Sequence, residues 1–262
     1  MIFLIILCLS LPAWRSALAS EQWWEEKPYP EWSTEEAISI LDHSPWVAFA
    51  PAGVRQEVIG RSGTRPVRGG GRSGTGVNVL YQFRLLTARP IREAFVRMIC
   101  LHQYIVHPSV DLEHVAAPSS PEEQQECQDE FISLHANTPI TAGQEKYIII
   151  AVNLRTGIFG SLEWVWREEP DGQELSDTAI SDLTNSAKLI TNSKRSVSLL
   201  KYEPPGPNWL GLLFFFPRNL PDGKPLITPS DKEFRFEAQI NRKKIRVRFD
   251  LAKMFYKGKL EF

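Results

Sequence analysis

The sequence predicts an α+β fold, with a mainly antiparallel sheet in the C-terminal half and a pair of helices placed after an N-terminal hairpin. Three patterns carry that expectation. Between Glu233 and Asp250 apolar and polar residues alternate, with Phe234, Phe236, Ala238 and Ile240 going out and Ile245, Val247 and Phe249 returning. That is the period of strands with one dry face. Tyr147–Val152 is an unbroken apolar run of strand length, as a strand covered on both faces requires. Pro90–Met98 instead spaces Ile91, Ala94, Phe95 and Met98 at helical intervals, a stripe continued by His102 and Ile105.

Taken from the start, residues 1–19 read as a secretory signal peptide. An apolar run from Ile2 to Trp14 is followed by Ala17-Leu18-Ala19, a cleavage site of small residues. Pro12 and Arg15 end the run before the roughly 20 apolar residues that a spanning helix needs, so no transmembrane span is expected after cleavage. Leu7 stands where lipidation of Cys8 would want a small residue. The expected location is secreted or periplasmic.

Residues 20–46 form an aromatic arm and a short capped helix. Trp23, Trp24, Tyr29 and Trp32 are interrupted by Pro28 and Pro30, which should keep the arm extended. Ser33 followed three residues later by Glu36 is a capping box, predicting a helix from Thr34 to about Leu41. Ser44-Pro45 stops it, because the residue before a proline is pushed out of helical geometry.

Residues 47–262 are expected to be one α+β domain. Val47, Phe49 and Val58 on one side and Val77–Phe83 on the other predict a hairpin. Its loop, residues 60–76, repeats Gly-Arg-Ser-Gly-Thr at Gly60 and Gly71 and reads as a flexible low-complexity segment. A proline suited to the first helical turn opens an amphipathic helix from Pro90 to about Val106. After Pro118–Pro121 a second, acidic helix should run from Glu122 to about His135. Beyond Tyr147–Val152, further strands are expected at Ser196–Tyr202 and Leu210–Phe216, and Phe255–Phe262 closes the chain as a last strand. In the Glu233–Asp250 hairpin two registers keep the apolar sets together. A two-residue turn at Asn241-Arg242 pairs Ala238 with Ile245 and Glu237 with Arg246; a four-residue turn pairs Glu237 with Arg248 and Arg235 with Asp250.

Loss of the signal removes Cys8 and leaves Cys100 and Cys127, an even pair in an oxidising compartment. A disulfide between them would tie the two helices and contribute about 3 kcal/mol by restricting the unfolded chain.

Composition is that of an ordinary globular protein, 43% hydrophobic, 23% charged and with a formal net charge of −1, and nothing in it points to nucleic acid. The charge is uneven, however. Asp111–Glu130 holds seven acids and no Lys or Arg, whereas Asp231–Phe262 holds ten bases against five acids.

No catalytic, metal or cofactor set is expected. Gly71–Gly76 lacks the Lys-Ser/Thr ending of a phosphate loop and precedes a strand rather than a helix. His102 and His107, beside Cys100, His114 and Cys127, would point about 140° apart on a helix, unlike zinc pairs. Ser198 and Lys201 match S-x-x-K but face opposite sides of a strand. The paired acids at Glu25-Glu26, Glu35-Glu36 and Glu168-Glu169 are adjacent residues that point apart. For contact with a partner the sequence offers Trp23 and Trp24, which stack on sugars if exposed and seal the arm if packed. It also offers Arg61, Arg65, Arg68 and Arg72 as a basic loop. Packing is the expected state of the tryptophans.

Glu31-Trp32-Ser33-Thr34-Glu35 is similar to the GWxTD signature of a broad set of exported bacterial proteins, with Glu31 for Gly and Glu35 for Asp. Trp32–Trp46, Ala88–Met98, Tyr147–Val152, Phe215–Arg218 with Gly223–Ile227, and Lys253–Phe262 resemble pieces of a family of secreted proteins from Gram-negative soil bacteria. The resemblance implies an exported protein and no particular chemistry. The leading expectation is a non-enzymatic envelope or periplasmic protein that binds a protein partner or serves as a structural component. Behind it stand a carbohydrate- or anionic-glycan-binding module using the tryptophans and the basic strands, and an enzyme of unrecognised type.

Overall fold

A computed structural model describes residues 22–56, 76–101, 120–134, 143–157, 185–204, 210–240 and 243–262. The signal segment, the Gly/Arg loop from 60 to 75 with its four arginines, and the expected helical continuation beyond Leu101 lie outside them.

The helices follow their sequence signals. Helix α1 is Thr34–His43; Ser33 accepts from the Glu36 amide at 3.2 Å, and the Glu36 carboxylate accepts from the Ser33 amide at 2.7 Å. Helix α2 is Arg89–Cys100, with proline in its first turn, and helix α3 is Pro121–Leu134. Cys100 and Cys127 are joined by a disulfide that ties α2 to α3, with Cα atoms 5.9 Å apart.

Two antiparallel sheets form the core. The first has strand order β1 (Val47–Gln56), β2 (Gly76–Leu85), β3 (Tyr147–Gly157), β7 (Leu212–Pro217), β6 (Lys201–Glu203). The second has order β5 (Ser196–Ser198), β4 (Lys188–Thr191), β8 (Glu233–Ile240), β9 (Lys243–Asp250). Pro51, which has no amide to give a ladder, sits on β1 at the edge of its sheet beside a bulge. The expected single strand Ser196–Tyr202 is instead two, β5 and β6, one in each sheet. At the corner the Leu199 amide donates to Ala187 in one direction and the Leu200 amide donates to Phe215 in the other. The chain thus steps from the second sheet to the first without a loop.

Between the sheets lies the main core. Phe83, Phe214 and Phe216 of the first sheet surround Phe236 of the second, with ring centroids 5.2, 5.3 and 6.0 Å away. Gly211, just before β7, has φ +89°, and a Cβ there would meet the Asn153 Oδ1 at 2.2 Å and the Val152 carbonyl at 2.5 Å. Only glycine lets that backbone lie on β3.

The other face of the five-stranded sheet is covered by α1 and α2. Gln82 and Arg84 project from it, fully buried, and donate to the Leu41 carbonyl at 3.1 and 2.8 Å; Arg84 also pairs with Asp42 at 3.3 Å and lies over the Phe95 ring. Strand β3 therefore has both faces buried over Ile148–Val152, which is inaccessible throughout.

Two further expectations need correction. The arm is not extended: Trp23–Glu25 and Tyr29–Glu31 are 3-10 turns, the second with Pro30 at its start, where a fixed φ favours a tight turn. The last strand is a small hairpin, β10 (Phe255–Tyr256) and β11 (Lys259–Leu260), turned by Lys257 and Gly258, both at positive φ.

Candidate functional site

The sequence offered three places for contact, the tryptophan arm, the Arg61–Arg72 loop and the basic strands; the loop lies outside the described residues, and the structure treats the other two in opposite ways.

The arm is a seal. Trp24 and Trp32 are buried and Trp23 is half-buried, and the rings meet edge to face: Trp23 on Trp24 at 5.8 Å, Trp23 on Trp32 at 5.5 Å, Trp24 on Trp46 at 5.8 Å. A sugar needs an open ring face, and Trp24 keeps only 6% of its surface. The C-terminal hairpin closes the same region. Tyr256 donates to Glu93 at 2.5 Å, Trp46 to the Glu261 carbonyl at 2.9 Å, and the Gly258 amide to Glu25 at 3.2 Å. Arg89 donates to the second Glu93 oxygen at 2.6 Å. Burial, then the Glu93 carboxylate, pushes the Tyr256 hydroxyl far above its ordinary pKa, so it remains a donor. These contacts hold the two ends of the described chain onto α2, and leave the Trp24 Nε1 and one Glu25 oxygen buried without a hydrogen bond among the described residues.

A second polar cluster is equally closed. Asp231 accepts from Ser193 at 2.7 Å, from the Thr228 amide at 2.8 Å and hydroxyl at 2.9 Å, and from Arg195. Despite the burial that opposes it, this hydrogen bonding from Ser193 and Thr228, with the Arg195 charge, holds the Asp231 carboxyl below its usual range. The cluster pins the β4–β5 turn to the segment entering β8.

The outer face of the four-stranded sheet is different. The β8–β9 register pairs Ala238 with Ile245 and Glu237 with Arg246, the arrangement of a two-residue turn. Side chains alternate across the sheet, so Glu233, Arg235, Glu237 and Gln239 of β8, Lys244, Arg246, Arg248 and Asp250 of β9, and Lys188 and Ile190 of β4 share the outward side. Five bases stand against three acids. Glu237 is covered by Arg246 at 2.7 Å and Lys188 at 3.8 Å, and Arg248 reaches Glu233 at 3.4 Å. Neither Arg235 nor Lys244 has an acidic partner among the described residues, and the Arg235 Nε is buried without a hydrogen bond.

This register opposes like charges twice: Arg235 faces Arg248, and Glu233 faces Asp250. Like charges directly opposite in an antiparallel pair are destabilising. The four-residue turn would have set Arg235 against Asp250 and Glu237 against Arg248. The inner face accounts for the choice: Phe234 stacks on Phe249 with centroids 4.9 Å apart and planes at 15°, while Phe236 pairs with Val247 around the central ring cluster. The outward side inherits a basic patch that the inner packing does not neutralise.

Of the residues singled out from sequence, Cys100 and Cys127 are together, Trp23 and Trp24 are together in the seal, and Arg61, Arg65, Arg68 and Arg72 lie outside the described residues. With both thiols in a disulfide, Cys100 and Cys127 are not available as metal ligands. The Arg235–Arg248 opposition was hidden in the sequence because the register was open there. No family model, curated protein or solved structure matches the chain.

Proposed function

We propose that this is an exported envelope or periplasmic protein that acts by binding, without catalysis, and holds an acidic component of its surroundings on the outer face of the four-stranded sheet. The observation that carries the reading is the basic outward side of β8 and β9, where Arg235 and Lys244 have no acidic partner among the described residues and two arginines oppose each other. Export is supported by the Ile2–Trp14 run with its Ala17-Leu18-Ala19 site and by the Cys100–Cys127 disulfide, a bond that persists in oxidising compartments. The likeness to GWxTD proteins belongs to the same proposal; in this chain Trp32 of that stretch is buried and Ser33 caps α1.

The test is a non-reducing peptide map with N-terminal sequencing of protein isolated from its native cells. The expected result is a chain beginning at Ser20 with the Cys100 and Cys127 peptides linked. A cytosolic chain with Met1 in place and both cysteines as free thiols would overturn the reading.

A further inference from the structure

Resting on that reading of the basic face, we propose that its occupant is a linear anionic polysaccharide lying along β9, gripped where Arg235 and Arg248 oppose each other. Three features of the face select this chemistry. First, Lys244, Arg246 and Arg248 follow one another along β9 on the outward side, with Arg235 beside Arg248 on β8. Alternate residues of a strand are about 6.8 Å apart and neighbouring strands about 4.8 Å, so the cations form a row rather than a pocket. A row suits an extended polymer that presents one acidic group after another.

Second, the face lacks what a folded partner or a bilayer would use. Protein interfaces are anchored by buried aromatic or other apolar side chains at their centre, and membrane surfaces by side chains that insert. Of the outward residues on β4, β8 and β9, Ile190 alone is apolar; the exposed large hydrophobics Phe49, Leu200 and Phe255 belong to other elements. Third, the charge density is modest. The three acids set among the five bases would each repel a phosphate backbone carrying one charge every ~1.7 Å and leave little net attraction for it. No aromatic ring on the face is available to stack bases. Sparser carboxylates pass between Glu233 and Glu237 without that penalty.

The opposed arginines supply the grip. A guanidinium presents paired N–H groups that match a carboxylate with two parallel hydrogen bonds. A carboxylate placed between Arg235 and Arg248 turns their mutual repulsion into attraction for the ligand. Arg248 touches Glu233 through Nη1 alone, at 3.4 Å and with its side chain 70% exposed, whereas Arg246 lies 2.7 Å from Glu237, which Lys188 also faces, and these two contribute less.

The experiment measures binding of fluorescent oligogalacturonate to the full mature protein by anisotropy at low and high salt, with neutral dextran, poly-L-glutamate and phosphatidylglycerol vesicles as comparison probes. Two variants of equal charge change are used, Arg235→Gln with Arg248→Gln, and Lys253→Gln with Lys257→Gln, which lie off the face; near-UV circular dichroism verifies that both fold. The expected result is salt-sensitive oligogalacturonate binding that weakens about tenfold in the arginine variant and less than about twofold in the lysine variant, as local pairing rather than net charge dictates. Equal weakening in both variants would overturn the proposal. So would binding of poly-L-glutamate or vesicles, but not oligogalacturonate, through Arg235 and Arg248, an outcome that leaves the acidic-component reading standing. Absence of binding to every probe would remove both.

Discussion

The two sheets are made by the same chemistry and differ in what covers them. The five-stranded sheet is dry on both faces along the middle of β2, β3 and β7: its inner side there meets the second sheet through Phe83, Phe214 and Phe216, and its outer side is closed by α1 and α2. The four-stranded sheet is dry on one face only. In the first, even charged side chains are absorbed, with Arg84 shared between Asp42 and the Leu41 carbonyl. In the second, the charges stay outward, and the register set by the inner phenylalanines leaves some of them opposed. Packing therefore decides geometry in both sheets, and the outer face of the second keeps surface chemistry to be used.

Phe236 joins the two sheets, and its truncation gives the largest expected effect. Phe236→Ala removes a fully buried ring that touches three others and should cost about 3–5 kcal/mol, read as a lower midpoint in urea unfolding with an unchanged slope. A loss below about 1 kcal/mol would mean that the sheets are not coupled through this ring.

How much of this was readable from the chain depends on whether the signal was local. The capping box at Ser33 and Glu36, the both-faces-buried run at Ile148–Val152 and the alternation in β8 and β9 are local patterns, and all appear as expected. The corner at Leu199-Leu200 was not legible, because an apolar-polar run looks the same whether its two halves pair with one sheet or two. The Lys257-Gly258 turn rests on one glycine inside a strand pattern, a weaker signal than the Asn-Gly or Asp-Gly pairs that mark such turns. Tyr81 to Arg84 alternates just as β8 does, yet its polar side is buried beneath α1; only the helices packed on it distinguish the two. The candidate face depended on a register that both turn lengths satisfied, so its location was legible and its opposed arginines were not.

The comparison is sharpened at the turn that enters the second sheet. Asp231 has a side chain with no exposure and several donors. Its folded-state pKa lies below the unfolded value of about 3.9, so its contribution is present above that pH and is lost as pH falls through the folded value. Asp231→Asn should cost about 1–3 kcal/mol at pH 7 and flatten the decline of stability below about pH 4. Urea midpoints of both proteins between pH 2 and 7 check this; parallel curves would show that Asp231 is not the acid-sensitive link.

The smallest effect is the one that separates the sheets by purpose. In a face shaped for stability alone, Arg235 opposite Arg248 is an avoidable repulsion, and threonine is a better strand residue with no charge. Arg235→Thr should therefore stabilise the protein, by about 0.2–1 kcal/mol, most clearly at low ionic strength, where repulsion between exposed charges is least screened. The same exchange of a buried charge in the first sheet, Arg84→Thr, would act in the opposite direction, because it strips Asp42 and the Leu41 carbonyl of a donor in a dry place. If Arg235→Thr instead lowers the thermal midpoint in dilute buffer, the arginine is part of the fold's own support, and the outer face loses its claim to be reserved for a ligand.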